Sequence, residues 1–112
     1  MKIGHVDELP VEAVEQTGAE GVRMRVVIGP DQGAPNFVMR VFDVEPGGHS
    51  PHHAHDFEHE VLVLAGRGTH VEEGREAVLG AGDVVYVRPG VLHQFRAAAD
   101  EGLRFLCVVP RV

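Results

Sequence analysis

Residues 47–66 read GGHSPHHAHDFEHEVLVLAG and hold five of the chain's eight histidines, His49, His52, His53, His55 and His59. In an extended chain alternate side chains share a face, so His53 and His55 present two imidazoles on one side, about 7 Å apart at their Cα atoms. His59 keeps that parity if a strand resumes after a short loop at Asp56, Phe57 and Glu58. The run Val61, Leu62, Val63, Leu64 then carries the chain into a core. The segment therefore reads as a metal site at the start of a buried strand. A bare HxH pair on a Pro- and Gly-rich loop is also found as solvated surface, and the pair alone does not separate the two readings.

Working outward, the flanking sequence is β-rich. Residues 22–28, VRMRVVI, alternate Arg23 and Arg25 against Val22, Met24 and Val26, the pattern of a half-buried strand, and GPDQGAP closes it. Residues 37–45 form a second strand, with Phe37, Met39 and Val41 on one face and Val38, Arg40, Phe42 and Val44 on the other. An Arg among apolar neighbours either has a buried partner or lies on an edge strand and snorkels to water; the edge placement is the expectation for Arg40. Past the histidines, Gly66-Arg67-Gly68, Glu73-Gly74-Arg75, Gly80-Ala81-Gly82-Asp83 and Arg88-Pro89-Gly90 are turn signals between short runs, down to a last strand at residues 103–109. Seven to nine short strands with no crossover helix predict an all-β sandwich or barrel. With 112 residues the chain is one domain. The polar, acidic residues 1–20 read as an N-terminal arm and 21–112 as the domain.

Charge and cysteine usage remove several function classes. Ten Lys and Arg against seventeen Asp and Glu give a formal charge of −7, which repels phosphate backbones, so nucleic acid is not an expected partner. No stretch has the length of a signal-peptide core or a bilayer span, so no membrane is expected either. The single cysteine, Cys107, excludes an internal disulfide framework and fits a reducing compartment. The expectation is a cytoplasmic protein.

Two separated stretches then fall into one scheme. The first is Gly47, five residues, His53-x-His55, three residues, His59, six residues, Gly66; the second is Gly82, five residues, Arg88-x-Gly90, two residues, His93. Together they resemble the two motifs of the cupin superfamily, in its small single-domain form. Where that family has a glutamate this chain has His59. Glu60 fits the position only with a lengthened spacer, and it lies in phase with Leu62 and Leu64 rather than with Val61 and Val63. Arg88 replaces the second motif's proline and Ala97 its asparagine. The string HxHxxxH with a later His resembles the small bacterial four-histidine cupins that bind manganese, as do residues 33–48 and the ending FLCVVP.

That resemblance implies a double-stranded β-helix, or jelly roll. It implies one divalent ion per chain held by His53, His55, His59 and His93, with Mn²⁺ first and Fe²⁺ second, and it implies a homodimer. Imidazole ligands also suit Zn²⁺, Ni²⁺ or Cu²⁺, so ligand type alone does not name the metal. Phe57 and Phe95, next to ligand positions, either wall a small apolar pocket or are ordinary core. Cys107 shares a strand face with Phe105 and Val109 and is either inert and buried or within reach of the metal cavity, and Arg40 is a further candidate for the pocket. His5, His49, His52 and His70 are expected at the surface. No organic cofactor and no catalytic acid or base can be named from the sequence.

The leading expectation for function is a metal-dependent oxidoreductase that activates dioxygen or peroxide and oxidises or cleaves a small organic molecule. The alternatives are a non-catalytic metal or small-ligand binder, and a Lewis-acid isomerase or lyase. A closed four-coordinate zinc would make the site merely structural.

Overall fold

The computed structural model describes residues 1–111, among which there are eight β-strands and no α-helix. The strands are β1 (Glu12–Ala13), β2 (Glu20–Ile28), β3 (Phe37–His49), β4 (His59–Glu72), β5 (Arg75–Gly80), β6 (Val84–Val87), β7 (His93–Ala97) and β8 (Leu103–Pro110). All pairings are antiparallel. Both β3 and β4 pair with β7 and with β8, so the ladder closes on itself as a jelly-roll barrel. Closure hides sheet edges that would otherwise be open to other chains. Among the described residues no helix is long and apolar enough to cross a membrane.

One long strand does much of the positioning. The first half of β4 pairs with β6 and β8, and its second half pairs with β5 and β7. The changeover follows a register shift between Val63 and Ala65 and passes through Gly66 at φ 85°, where a Cβ would run into the carbonyl oxygen of Gly102. Only glycine fits there, which is the physical reason for the glycine that ends the first motif.

Inside, Phe105 stacks between Phe42 and Phe95, with ring centroids 5.1 and 4.5 Å away, and Val44, Val63 and Leu103 complete a dense apolar half. Full burial of such side chains stabilises by about 1.5–3 kcal/mol each. On the outer surface Asp43 accepts from Arg25 at 2.9 Å and from Arg104 at 2.7 Å, and Arg104 also reaches Asp7 at 2.6 Å. This last contact ties the arm down, together with the pairing of β1 to β2 of the same chain.

Three expectations change. The second strand runs on to His49 rather than ending at residue 45. Val26 is exposed although it keeps the ladder register of Val22 and Met24. Arg40 is not on an edge: β3 lies between β2 and β8, with Val26 on one side of Arg40 and Cys107 on the other. Its guanidinium lies 5.0 Å over the Phe42 ring and donates to the Cys107 thiol at 3.4 Å.

Candidate metal centre

The two motifs meet because the loop before β4 is bonded along β7. His53 and His93 exchange backbone hydrogen bonds of 3.1 and 2.9 Å, Ser50 N donates to Phe95 O at 2.8 Å, and Phe95 N donates back to Ser50 Oγ at 2.9 Å. From the second motif, Gly90 N donates to His55 O at 2.6 Å. A turn and a loop far apart in sequence thus fix the Cα positions of His53, His55 and His93. His59 comes from the first residue of β4 and points inward with Val61 and Val63, whereas Glu60 and Leu62 are exposed.

The four imidazoles form a four-sided ring. Centroids lie 4.3 Å apart for His53–His55, 5.2 Å for His55–His59, 5.1 Å for His59–His93 and 5.0 Å for His93–His53, with 6.2 Å across the His55–His93 diagonal. With metal–nitrogen bonds of about 2.0–2.1 Å, ring centroids around one ion stand about 4.5 Å apart at right angles and about 6.4 Å apart when opposed. The spacing of the rings therefore suits a single ion. The nitrogens do not yet converge in ligand geometry, for among the described residues no three His, Cys, Asp or Glu groups form a ready-made metal site. Rotation about χ2 turns the nitrogens while leaving the ring centroids nearly in place, so the ring spacing is compatible with convergence on one ion.

The polar chemistry of the ring also fits a cation. Nδ1 of His53 and Nε2 of His59 are enclosed without any hydrogen-bond partner, an arrangement that costs stability unless something else binds there. Nδ1 of His93 lies 3.0 Å from Val91 O, a bond that requires the proton on Nδ1 and leaves Nε2 with its lone pair. Burial, with the neighbouring imidazoles adding to it, lowers the pKa of His53 to about 4 and that of His59 to about 3. Burial also lowers His55 and His93. All four are thus held neutral, the state a ligand needs.

Phe57 stacks on His55 at 4.9 Å, covering that ring, while Phe95 is buried in the core beneath. Cys107 faces inward, its Sγ 3.4 Å from Nδ1 of His59, and burial raises the thiol pKa. His5 and His52 are exposed as expected, and His49 is half-buried, 3.6 Å from Glu20. His70 is a correction: it is buried, with its ring 6.3 Å from that of His93.

Comparison with known proteins agrees with this architecture. Residues 40–109 match the family profile described as Cupin domain. The chain is 46% identical over 72 residues to 1-methylthio-D-xylulose 5-phosphate methylsulfurylase of Rhodospirillum rubrum, a match covering 63% of this chain and 46% of that protein. It therefore spans less than half the length of that curated relative. Among solved structures, the polyketide cyclase RemF of Streptomyces resistomycificus superposes with a TM-score of 0.93 at 35% identity, over 98% of this chain and 79% of the other. A cupin-2 domain protein of Rhodospirillum rubrum gives 0.87 at 30% identity, over 99% and 75%.

Proposed function

The chain belongs to the cupin family, and from that premise we propose that it is a metal-dependent enzyme acting on a small carbonyl-bearing substrate at the ring of His53, His55, His59 and His93. The observation that carries the proposal is the spacing of four neutral imidazoles around buried nitrogens that nothing in the chain satisfies. A divalent ion bound there supplies a Lewis acid that polarises a carbonyl oxygen. Mn²⁺ is the first candidate and Fe²⁺ the second. The chain's own part is to hold neutral donors, to fix His93 through Val91, and to shield the ring with Phe57. The carbonyl class draws on the two named relatives: a xylulose derivative and a polyketide both carry ketone groups.

Activation of dioxygen or peroxide is the second reading. The exclusion of Glu60 from the interior favours the first reading, since a ring without a carboxylate would leave a bound ion its full charge as a Lewis acid. The proposal extends to a homodimer, because Leu62, Leu64, Val84 and Tyr86 expose apolar side chains on the outer face of β4 and β6, a surface a second copy would cover. Light scattering at micromolar concentration should report about twice the 12.1 kDa chain mass.

Metal analysis of the purified protein, followed by assays of separate manganese, iron and zinc forms, tests the reading. About one ion per chain is expected, and it should be lost in the His53→Ala, His55→Ala double variant. His59→Ala should lower metal content far more than Glu60→Ala. Equal turnover of small ketones by the zinc and manganese forms supports the carbonyl reading, because zinc has no redox change. Consumption of dioxygen or an alkyl hydroperoxide by the manganese or iron form alone supports the second. Full metal content in the double variant would remove the site, and stoichiometric metal without turnover of any probe would make the chain a binder.

A further inference from the structure

One cation on the inner wall of the barrel has no anion beside it. Arg40 shares a face of β3 with Phe42 and Val44, which pack in the core. Its partner across the ladder is Cys107, whose Sγ accepts from Nη2 of Arg40 at 3.4 Å and lies 3.4 Å from Nδ1 of His59. Only the thiol therefore stands between the guanidinium and the histidine ring. Besides burial and the neighbouring imidazoles, the Arg40 charge disfavours protonation of His53, His55 and His59, which sets Arg40 beside that side of the ring. His53, His55 and Phe57 are only half-buried, so this side is the one open to solvent.

Five other arginines, Arg23, Arg25, Arg67, Arg88 and Arg104, each lie within 3.9 Å of a carboxylate. Arg40 has no carboxylate partner among the described residues. Its contacts are the face of Phe42, 5.0 Å away, and a thiol, which is a weak acceptor. Nε is enclosed with no acceptor, whereas Nη1 is neither bonded nor enclosed and is the nitrogen a ligand reaches from solvent, Arg40 being half-buried. A half-buried charge without a counter-ion works against stability, and packing on Phe42 needs no charge. What a guanidinium adds is a planar fork of donors matched to the oxygens of a carboxylate or a phosphate.

We propose that Arg40 is the residue that binds the substrate's oxyanion, so that the substrate class is a small carbonyl compound bearing a carboxylate or a phosphate ester. The inference rests on the carbonyl reading given above and narrows it. The ring and Arg40 divide the substrate between them: the neutral imidazoles hold the metal that takes the carbonyl oxygen, and the guanidinium takes the charged end. Arg40 thereby selects anionic carbonyl compounds over neutral ones of the same size. The unpaired charge is explained by what it binds, as the unpaired imidazole nitrogens are.

The test is calorimetric binding to the zinc-loaded full chain, with metal content and the Nε–H NMR signal of Arg40 recorded on the same samples. Levulinate and its neutral methyl ester form the carboxylate arm, and dihydroxyacetone phosphate and dihydroxyacetone form the phosphate arm. In at least one arm the charged probe should bind wild type about 10-fold or more tightly than its neutral counterpart and should shift the Arg40 signal; the arm that does so names the oxyanion. R40M should lose that preference with metal content unchanged, and R40K, which keeps the charge but not the fork, should recover part of it. An arginine held only for packing would move neither the preference nor the signal. Equal binding of charged and neutral probes in both arms, or a preference that survives in R40M, would overturn the role of Arg40 while binding of the neutral ketones leaves the carbonyl reading intact. A metal-replete wild type that binds none of the four probes would overturn both.

Discussion

The barrel interior has two halves built from the same strands but under opposite physical demands. Around Phe105, the rings of Phe42 and Phe95 and the side chains of Val63 and Leu103 exclude water and leave no polar atom to satisfy. A few residues further along β4 and β8, His59 and Cys107 occupy equivalent inward positions, and the neighbouring imidazoles carry buried nitrogens without partners. In the first half, burial and stability go together. In the second, burial works against the charged forms and leaves hydrogen bonds unmade, so its residues are explained by what they bind rather than by what they stabilise.

The largest expected effect lies in the apolar half. Phe105→Ala should lower the unfolding free energy by about 3–5 kcal/mol, read as a fall in denaturant midpoint at constant m-value. A loss below about 1 kcal/mol would mean that the ring stack is not what holds the barrel, and the contrast between the halves would collapse.

A polar cluster built on a doubly paired carboxylate sharpens the contrast. Asp43 receives both Arg25 and Arg104 and is largely shielded from solvent. Asp43→Ala strands the Arg25 guanidinium, leaves Arg104 with Asp7 alone, and should cost about 1–3 kcal/mol. Thermal unfolding of this variant separates polar groups that stabilise from the imidazoles, which do not.

Acid should then affect the histidine half selectively. The unfolded chain protonates its histidines near pH 6.5, whereas burial holds folded His53 to about 4 and His59 to about 3. Between these limits the unfolded state binds more protons, so the stability of the metal-free protein is unaffected above about pH 6.5 and falls as pH drops from there towards 4 and 3. Replacing His53 and His59 together should flatten that acid limb in pH-dependent denaturation. An unchanged slope would mean that these imidazoles are already protonated in the folded chain.

Much of this contrast was legible in the sequence, and where it was not the reason is local geometry. Turn glycines and two-residue alternation gave an all-β chain; strand parity allowed only one of His59 and Glu60 to face the interior, and the glycine spacing with the family resemblance chose His59. Carrying the same parity forward puts His70 outside, as the sequence reading expected. The register shift between Val63 and Ala65 resets it, so the inward residues change from His59, Val61 and Val63 to Gly68, His70 and Glu72. The Gly66-Arg67-Gly68 turn signal marked the place but not the one-residue offset. Arg40 was misplaced for a different reason: its strand's two partners, β2 and β8, lie on either side of it far apart in the sequence, so nothing local marks the strand as internal.

The smallest expected effect is the one that bears most directly on the comparison. In the metal-free protein, His59→Leu removes a buried imidazole whose Nε2 has no partner and whose Nδ1 has only the Cys107 thiol, a weak partner, at 3.4 Å. Leucine is of similar size and continues the apolar pattern of Val61 and Val63, so the lost thiol contact is offset by relief of an unmet hydrogen bond. The variant should therefore unfold within about 1 kcal/mol of wild type, or be more stable by that amount, when both are stripped of metal and compared at pH 7. With metal restored the order should reverse, since a bound ion stabilises only the folded chain that holds it, and wild type holds it with one more ligand. A loss of 2 kcal/mol or more in the metal-free comparison would show that His59 is part of the packing that holds the barrel together, and the two halves of the interior would then differ in composition but not in purpose.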